Sequence, residues 1–296
     1  MGLQINTNIA AMNAYRNLSG TQGAMSTSLE RLSSGLRINR AADDAAGLAI
    51  SEKLRAQSNG LNQATANAQD AISLIQTAEG GLNETHSILQ RMRQLTVQAG
   101  NDTNGVEGRA NIKTELDQLG QELDRIASTT QFNGTKLLDG SHGTVGTALS
   151  FQVGANSGNV MTVALDGSDS TKLGLSAGWA AAVAGTPGTA ETASTSSLLV
   201  TDATAVAASL TKIDTAITAV STSRSNLGAV QNRLQHTVNS LSVAAENASA
   251  AESRIRDTDM AKEMTAFTRS QILAQAGVSM LAQANSAPQS VLKLLG

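Results

Sequence analysis

The sequence predicts a mainly α protein: long antiparallel helices forming a rod with coiled-coil termini, plus a small β-hairpin region in the middle of the chain. Three observations predict it. Apolar residues recur at alternating steps of three and four over most of the length, the mark of helix seams packed on other helices. Only 2 prolines occur in 296 residues, and proline breaks helices. Aromatic residues are 2% of the chain, namely Tyr15, Phe132, Phe151, Trp179 and Phe267; such a composition suits close-packed helices better than a thick core.

The first segment carries a heptad seam, Ala11, Tyr15, Leu18, Gln22, Met25, Leu29, Leu32 and Leu36, interrupted only by Gln22. The Ser33-Ser34-Gly35 cluster and Asn39 end it. Residues 33–51 are a break and a restart, in which Asp43 or Asp44 caps the next helix and opposes its dipole. That helix is expected to run to Gln57, with Ser58-Asn59-Gly60 as an interruption.

A second seam follows: Leu61, Ala64, Ala68, Ala71, Ile75, Ala78, Leu82, Thr85, Leu89, Met92 and Thr96. It continues through Gly80-Gly81, each of which weakens a helix by roughly 1 kcal/mol. Residues 100–105 are turn chemistry. A third helix places Ile112, Leu116, Leu119, Leu123 and Ile126 on one face. The period then drops to two. Leu149, Phe151 and Val153, then Met161, Val163 and Leu165 beyond the 156–159 turn, predict a β-hairpin. No period survives from Asp166 to Ser197, which predicts a surface excursion or flexible insert.

The fourth helix is the longest, with Val206, Leu210, Ile213, Ile217, Val220, Leu227, Leu234, Val238, Leu241, Ala245 and Ala248 on its seam. Arg224 and Gln231 interrupt that seam, a usual means of fixing register. The last helix carries the stripe Leu273, Ala276, Met280, Ala284, Ala287, Val291 and Leu295, with no charged side chain between Ser270 and Leu292. Long helices on both sides of a hairpin imply antiparallel packing with the termini together. The expected division is 1–40 with 257–296 as a terminal coiled-coil domain, 41–165 with 201–256 as a helical rod domain with the hairpin, and 166–200 as a short variable surface insert.

The chemistry expected of these residues is structural. A net charge of −3 gives no electrostatic case for nucleic acid. The absence of cysteine removes disulfides and thiolate sites. The N-terminus lacks a basic region followed by an apolar run, so no classical signal peptide is expected. Residues 270–292 are long enough to span a bilayer but too rich in Gln, Asn and Ser for membrane insertion. His86, His142 and His236 have no metal spacing, and no nucleophile elbow, P-loop or dinucleotide fingerprint exists. No enzyme and no cofactor are expected. Asp43-Asp44, Asp257 and Asp259 are helix caps. Arg91 and Arg93 beside Leu95 form a solvated face with one core leucine.

Burying one face of a thin terminal helix releases less free energy than ordering its residues costs. The ends are therefore expected to be weakly ordered in a lone chain and to gain structure against other copies. A heterologous contact repeated without closure makes a filament. The side chains expected to carry this inner seam are Leu18, Met25, Leu29, Leu32, Leu36, Leu273, Met280, Leu281, Val291, Leu292 and Leu295.

Several stretches resemble bacterial flagellin: INTN at 5–8, SSGLRINRAADDAAGLAIS at 33–51, NAQDAISLIQTAEGGL at 67–82, LQRMRQLTVQAGN at 89–101 and QFNGTKLLDG at 131–140. So do RSNLGAVQNRLQHTVNSL at 224–241, SRIRDTDMAKEMT at 253–265 and ILAQAGVSMLAQANSAPQSVLKLLG at 272–296. The resemblance implies the subunit of the helical flagellar filament used for motility, its termini making an inner coiled-coil tube and its flanking helices with a hairpin the next shell. It implies an extracellular protein exported unfolded by the flagellar type III apparatus without a cleaved signal. The implied partners are other copies, an export chaperone on the C-terminal helix, and cap and hook-associated proteins. Some relatives carry a zinc peptidase in the insert; this chain has no HExxH. The resemblance also implies a patch for the flagellin-sensing Toll-like receptor at Arg91, Leu95 and Glu115, although Leu119 stands where that patch has a further arginine. Val291, Leu292, Leu294 and Leu295 resemble the C-terminal residues sensed by cytosolic receptors. The alternatives are a hook–filament junction protein of the same architecture and a helical coiled-coil adaptor.

Overall fold

The computed structural model describes residues 8–143, 147–175, 198, 200 and 203–295, with the backbone alone for Ala203 and 287–295. The described residues form helices α1 (Ile9–Ser34), α2 (Ala45–Ala99), α3 (Val106–Thr129), α4 (Ala203–Arg256) and α5 (Met260–Leu295). Two antiparallel hairpins lie between α3 and α4 in sequence: β1 (Gln131–Phe132) with β2 (Thr135–Lys136), and β3 (Leu149–Gln152) with β4 (Val160–Val163). The fold class is mainly α with a small β region in mid-chain, as expected. The chain divides into two compact units, Met1–Ser58 with Ala245–Gly296, and Asn59–Ala244. These boundaries fall inside α2 and α4, whereas the division expected from sequence coincides with the helix breaks.

The Asn59–Ala244 unit is built on the predicted seams. All eleven residues of the second seam, from Leu61 to Thr96, are buried. Ile112, Leu116 and Leu123 of α3 join them, as do Val206, Ile213, Val220, Leu227, Leu234 and Val238 of α4. The helices are antiparallel. Glu79 meets Arg224 and Arg93 meets Asp214 across α2 and α4, while Arg91 meets Glu115 and Gly81 lies against Thr130 across α2 and α3. Leu149 pairs with Val163 and Gln152 with Val160 in the second hairpin. Its burial alternates along β3, placing Phe151 against the core while Val163 on β4 is fully inside.

Three expectations for this unit are corrected. Helix α2 passes through Ser58-Asn59-Gly60 without interruption. The reason lies in packing: a methyl on Gly60 would stand 2.9 Å from the Ala155 methyl, so this glycine admits a neighbouring loop. The β1–β2 hairpin was not anticipated, yet its Asn133-Gly134 turn has φ of 49° and 81°, the pair of positive angles that a tight hairpin favours. It delivers Leu137 and Leu138 into the core. Finally, the ends of the segment expected as a surface insert are inside. Leu173, Leu175, Leu198 and Val200 are buried, and Ser170 donates from its backbone N–H and its hydroxyl to the Asp124 carboxylate at 2.7 and 2.9 Å. Residues 176–197 of that segment lie outside the described residues.

The adjacent glycines of α2 have opposite roles. A methyl on Gly80 meets nothing within 4 Å, whereas one on Gly81 would stand 2.7 Å from Leu138 Cδ1 and 2.9 Å from Thr130 Oγ1. Leu138 is fully buried and has no room to move. Gly80→Ala is expected to stabilise the chain by about 0.5–1 kcal/mol through helix propensity. Gly81→Ala is expected to destabilise it by about 1–3 kcal/mol through overpacking. Urea unfolding of the two variants checks the signs; like signs would show that no close approach exists at Gly81.

In the other unit, α1 begins at an Asn8 cap and ends at Gly35, whose φ of 72° turns the chain out of the helix. Leu36 is therefore not on the α1 seam as expected. It forms a β-bridge with Asp257 instead. Arg37 N donates to Arg256 O at 2.7 Å and Thr258 N to Gly35 O at 3.0 Å, stitching the two interhelical links together. The restarts are capped by the expected acids. Asp44 Oδ1 accepts from Gly47 N at 2.8 Å at the start of α2, and Asp259 Oδ1 from Ala261 N and Lys262 N at 3.0 and 3.1 Å at the start of α5.

Candidate assembly surface

Helices α1 and α5 pack along one another. They run antiparallel, since Arg31 faces Glu263 at 3.9 Å while a methyl on Gly277 would stand 3.2 Å from Leu18 Cδ1. The residues of α1 turned inward are Ala11, Ala14, Leu18, Thr21, Met25, Ser28 and Leu32, all at least half-buried. Those of α5 are Glu263, Phe267, Ser270, Ala274, Gly277, Leu281 and Ala284. Both rows step by three and four, so each helix lays one heptad seam on the other.

This seam differs from the one expected. Leu18, Met25, Leu32 and Leu281 lie in it. The alternate α1 positions are filled by Ala14, Thr21 and Ser28, whereas Tyr15 and Leu29 are exposed. On α5 the row has rotated by about one position, leaving Leu273 and Met280 outside it. The physical reason is closeness. Helices that approach closely need small side chains between them, and Gly277 against Leu18 sets the separation. Bulk is turned out: Tyr15 is 66% exposed, Ile272 63% and Met280 65%, and Ile9, Met12, Met264 and Val278 are also exposed. Two grooves lie on this surface, one lined by Met12, Tyr15 and Leu281, the other by Met264, Ile272 and Leu273. The side chains of Val291, Leu292 and Leu295 lie outside the described ones.

The links joining this pair to the helices next in sequence are held by ionic contacts. Arg256, almost enclosed, donates to Glu52 at 2.6 Å; Arg37 donates to Ile255 O at 2.6 Å; Arg40 pairs with Glu30 at 2.9 Å. Asp43 Oδ2 accepts from Arg40 N and Asn39 N at 2.9 and 3.1 Å. Those two bonds, Arg40 first, hold its carboxyl below the ordinary value. A depressed folded-state pKa contributes stability above the unfolded value that is lost as pH falls through the folded one. The Asn39 and Arg40 amides are therefore expected to lose protection as the pH falls below the ordinary aspartate range. Asp43→Ala should abolish that protection already at neutral pH. Amide exchange by NMR checks both, and pH-independent protection would refute the role of Asp43.

The second candidate patch lies in the Asn59–Ala244 unit. Arg91 and Glu115 form an exposed ion pair at 2.7 Å, while Leu95 beside them is 2% exposed and belongs to the core. Arg93 is engaged with Asp214 at 2.7 Å. Among the described residues no group of three His, Cys, Asp or Glu is placed to hold a metal ion, and no helix is long and apolar enough to cross a membrane.

Residues 5–143 match the bacterial flagellin N-terminal helical region, and residues 210–295 match the bacterial flagellin C-terminal helical region. The chain belongs to the bacterial flagellin family. This flagellin is 53% identical to the flagellin of Halalkalibacterium halodurans, over 98% of this chain and 99% of that one. It is 50% identical to the flagellin of Bacillus subtilis, over 99% and 100% respectively. It is also 47% identical to the flagellar filament 33 kDa core protein of Treponema phagedenis, over 98% and 99%. The outward apolar surface on α1 and α5 thus belongs to a flagellin, a structural protein and not an enzyme.

Proposed function

We propose that this flagellin is a structural subunit of the extracellular flagellar filament and polymerises by packing its α1–α5 pair against the pairs of other copies. The observation that carries this reading is the direction of the bulky side chains. Tyr15, Leu29, Leu273 and Met280 are left exposed by the partner helix of the α1–α5 pair, and so much exposed apolar surface on a thin pair marks an interaction site. In this reading residues 1–40 with 257–296 form the inner tube, 41–165 with 201–256 the next shell, and 166–200 the variable segment, its ends anchored in the core by Leu173, Leu175, Leu198 and Val200. Leu18, Met25, Leu32 and Leu281 hold each pair together, while Leu29, Leu273, Met280, Val291, Leu292 and Leu295 join pairs, with Leu36 in the link.

An apolar helix such as α5 needs covering before assembly, which suits an export chaperone, and the subunit then passes through the type III apparatus to the cap and hook-associated proteins. The receptor patch acts through Arg91 and Glu115, with Leu95 as the support beneath them. The match over nearly the full length of named flagellins favours the filament subunit over a junction protein or an adaptor.

Electron microscopy of the concentrated protein tests this reading, with hydrogen exchange on soluble and assembled forms. Long filaments are expected, and residues 9–35 and 262–286 should be protected more strongly in them than in the soluble chain. Absence of filaments, or equal protection in the soluble chain, would overturn it.

A further inference from the structure

We infer that Asn8 fixes the register of the α1–α5 pair by supplying a hydrogen bond that Pro288 withholds from its own helix. In an α-helix the carbonyl of residue i accepts from the N–H of residue i+4. Helix α5 runs unbroken from Met260 to Leu295 and contains Pro288. Proline has no N–H, so the Ala284 carbonyl has no donor four residues on. Asn8 Nδ2 donates to that carbonyl at 2.8 Å, across 276 residues of sequence. Oδ1 of the same side chain accepts from Ala11 N at 3.0 Å and caps α1. One carboxamide thus satisfies an unpaired donor at the start of α1 and an unpaired acceptor within α5.

The arrangement selects one register. Between the Arg31–Glu263 pair and the Gly35–Thr258 bond beside the links and the Asn8 bond at the far end, the interface is a repeat of small and apolar side chains, Ala14, Leu18, Thr21, Met25 and Ser28 against Ser270, Ala274, Gly277 and Leu281. Such a seam repeats every seven residues and by itself discriminates poorly against a slip of one heptad, which is why a single polar group often sets register in coiled coils. Pro288 is the only proline in α5, so Ala284 offers the only carbonyl inside the helix that proline leaves open. A slipped α1 would set Asn8 opposite carbonyls already engaged and leave the Ala284 oxygen unpaired. The groove lined by Met12, Tyr15, Leu281 and Asn285 draws on both helices within about two turns of this bond. Its shape therefore depends on the register. In the filament reading, on which this last consequence alone rests, that groove receives a neighbouring copy.

The chain has no cysteine, so register can be read directly by cross-linking. A Cβ on Gly277 would stand 3.7 Å from Leu18 Cβ, within disulfide range. The full chain carrying Leu18→Cys with Gly277→Cys reports the native register. Met25→Cys with Gly277→Cys reports a slip of one heptad. Each pair is oxidised with Asn8 retained, with Asn8→Ser, with Pro288→Ala, and with both changes. Serine keeps a capping oxygen but is too short to reach the Ala284 carbonyl. Loss of the bond in Asn8→Ser is expected to raise the slipped-to-native ratio about tenfold. Pro288→Ala returns an N–H to α5, which removes the open carbonyl and should raise the ratio to a similar degree. The double variant should match either single one. An unchanged ratio in Asn8→Ser overturns the proposal, as does an Asn8→Ser effect of equal size with and without Pro288, which would reduce Asn8 to a cap. Micrographs of the same samples report filament formation separately, so loss of the assembly reading and loss of the register reading are told apart.

Discussion

Met280→Asp is expected to abolish filament growth while leaving the melting of the soluble chain nearly unchanged. Met280 is 65% exposed in the α1–α5 pair. In the lone chain the new carboxylate faces water and costs only the difference in helix propensity, about 0.5 kcal/mol. In the proposed packing the same position lies against another copy. Burying a charge there without a partner costs several kcal/mol. At about 1.4 kcal/mol per factor of ten, the monomer concentration needed for growth should rise about a thousandfold. Met280→Leu keeps the apolar surface and should still polymerise. Sedimentation of polymer against total protein, with calorimetry on the soluble chain, separates the two effects. Normal growth of Met280→Asp would show that this face is left uncovered. Failure of Met280→Asp to fold would show that it was already packed within the chain.

That prediction rests on a distinction the sequence hid. The stripe on α1 is wide enough to include both Tyr15, Gln22 and Leu29 and, one position earlier, Ala14, Thr21 and Ser28. Ranking residues by hydrophobicity selects the first set. The close approach of α5 selects the second, because only small side chains fit between the axes. Leu18, Met25 and Leu32 were legible because they belong to both rows. On α5 the same logic exchanges Leu273 and Met280 for Ala274 and Gly277. Periodicity locates a stripe, but only the partner decides which edge of it is covered first.

The α2 seam was legible residue by residue from Leu61 to Thr96, and so was most of the α4 seam, where Ser209 and Ala216 are buried beside the half-buried Leu210 and Ile217. There both partners are in the same chain, and large and small residues are buried alike. The features that escaped are local. Asn133-Gly134 was a sufficient signal for the first hairpin, but strands of two residues give no alternation to read. Gly60 reads as a stop in the sequence because glycine has two unrelated uses, ending helices and admitting close neighbours, and the sequence does not say which. The Asn8 bond was invisible for a different reason. Pro288 announces an unpaired carbonyl at Ala284, but its donor lies at the other end of the chain.

Leu175→Ala is expected to destabilise the Asn59–Ala244 unit by about 2–5 kcal/mol, as for any fully buried leucine. Were the segment from 166 onward a surface excursion, the same change would cost under about 0.5 kcal/mol. The structure gives the first answer. Leu175 has no exposed surface and joins Leu173, Leu198 and Val200 in the core of α2, α3 and α4. Composition misleads here because Gly, Ser and Thr outnumber the apolar residues, and two leucines among them form no period. What holds the segment is polar and apolar anchoring in turn. Ser170 is fixed to Asp124 by two hydrogen bonds, Leu175 N donates to Ser170 O at 2.9 Å, and the two leucines descend into the core. Urea unfolding of Leu175→Ala beside Lys172→Ala, an exposed change in the same segment, checks this. Both changes costing little would return the segment to the surface, whereas a large loss for Leu175→Ala alone makes its ends part of the core on which α2 and α4 are held.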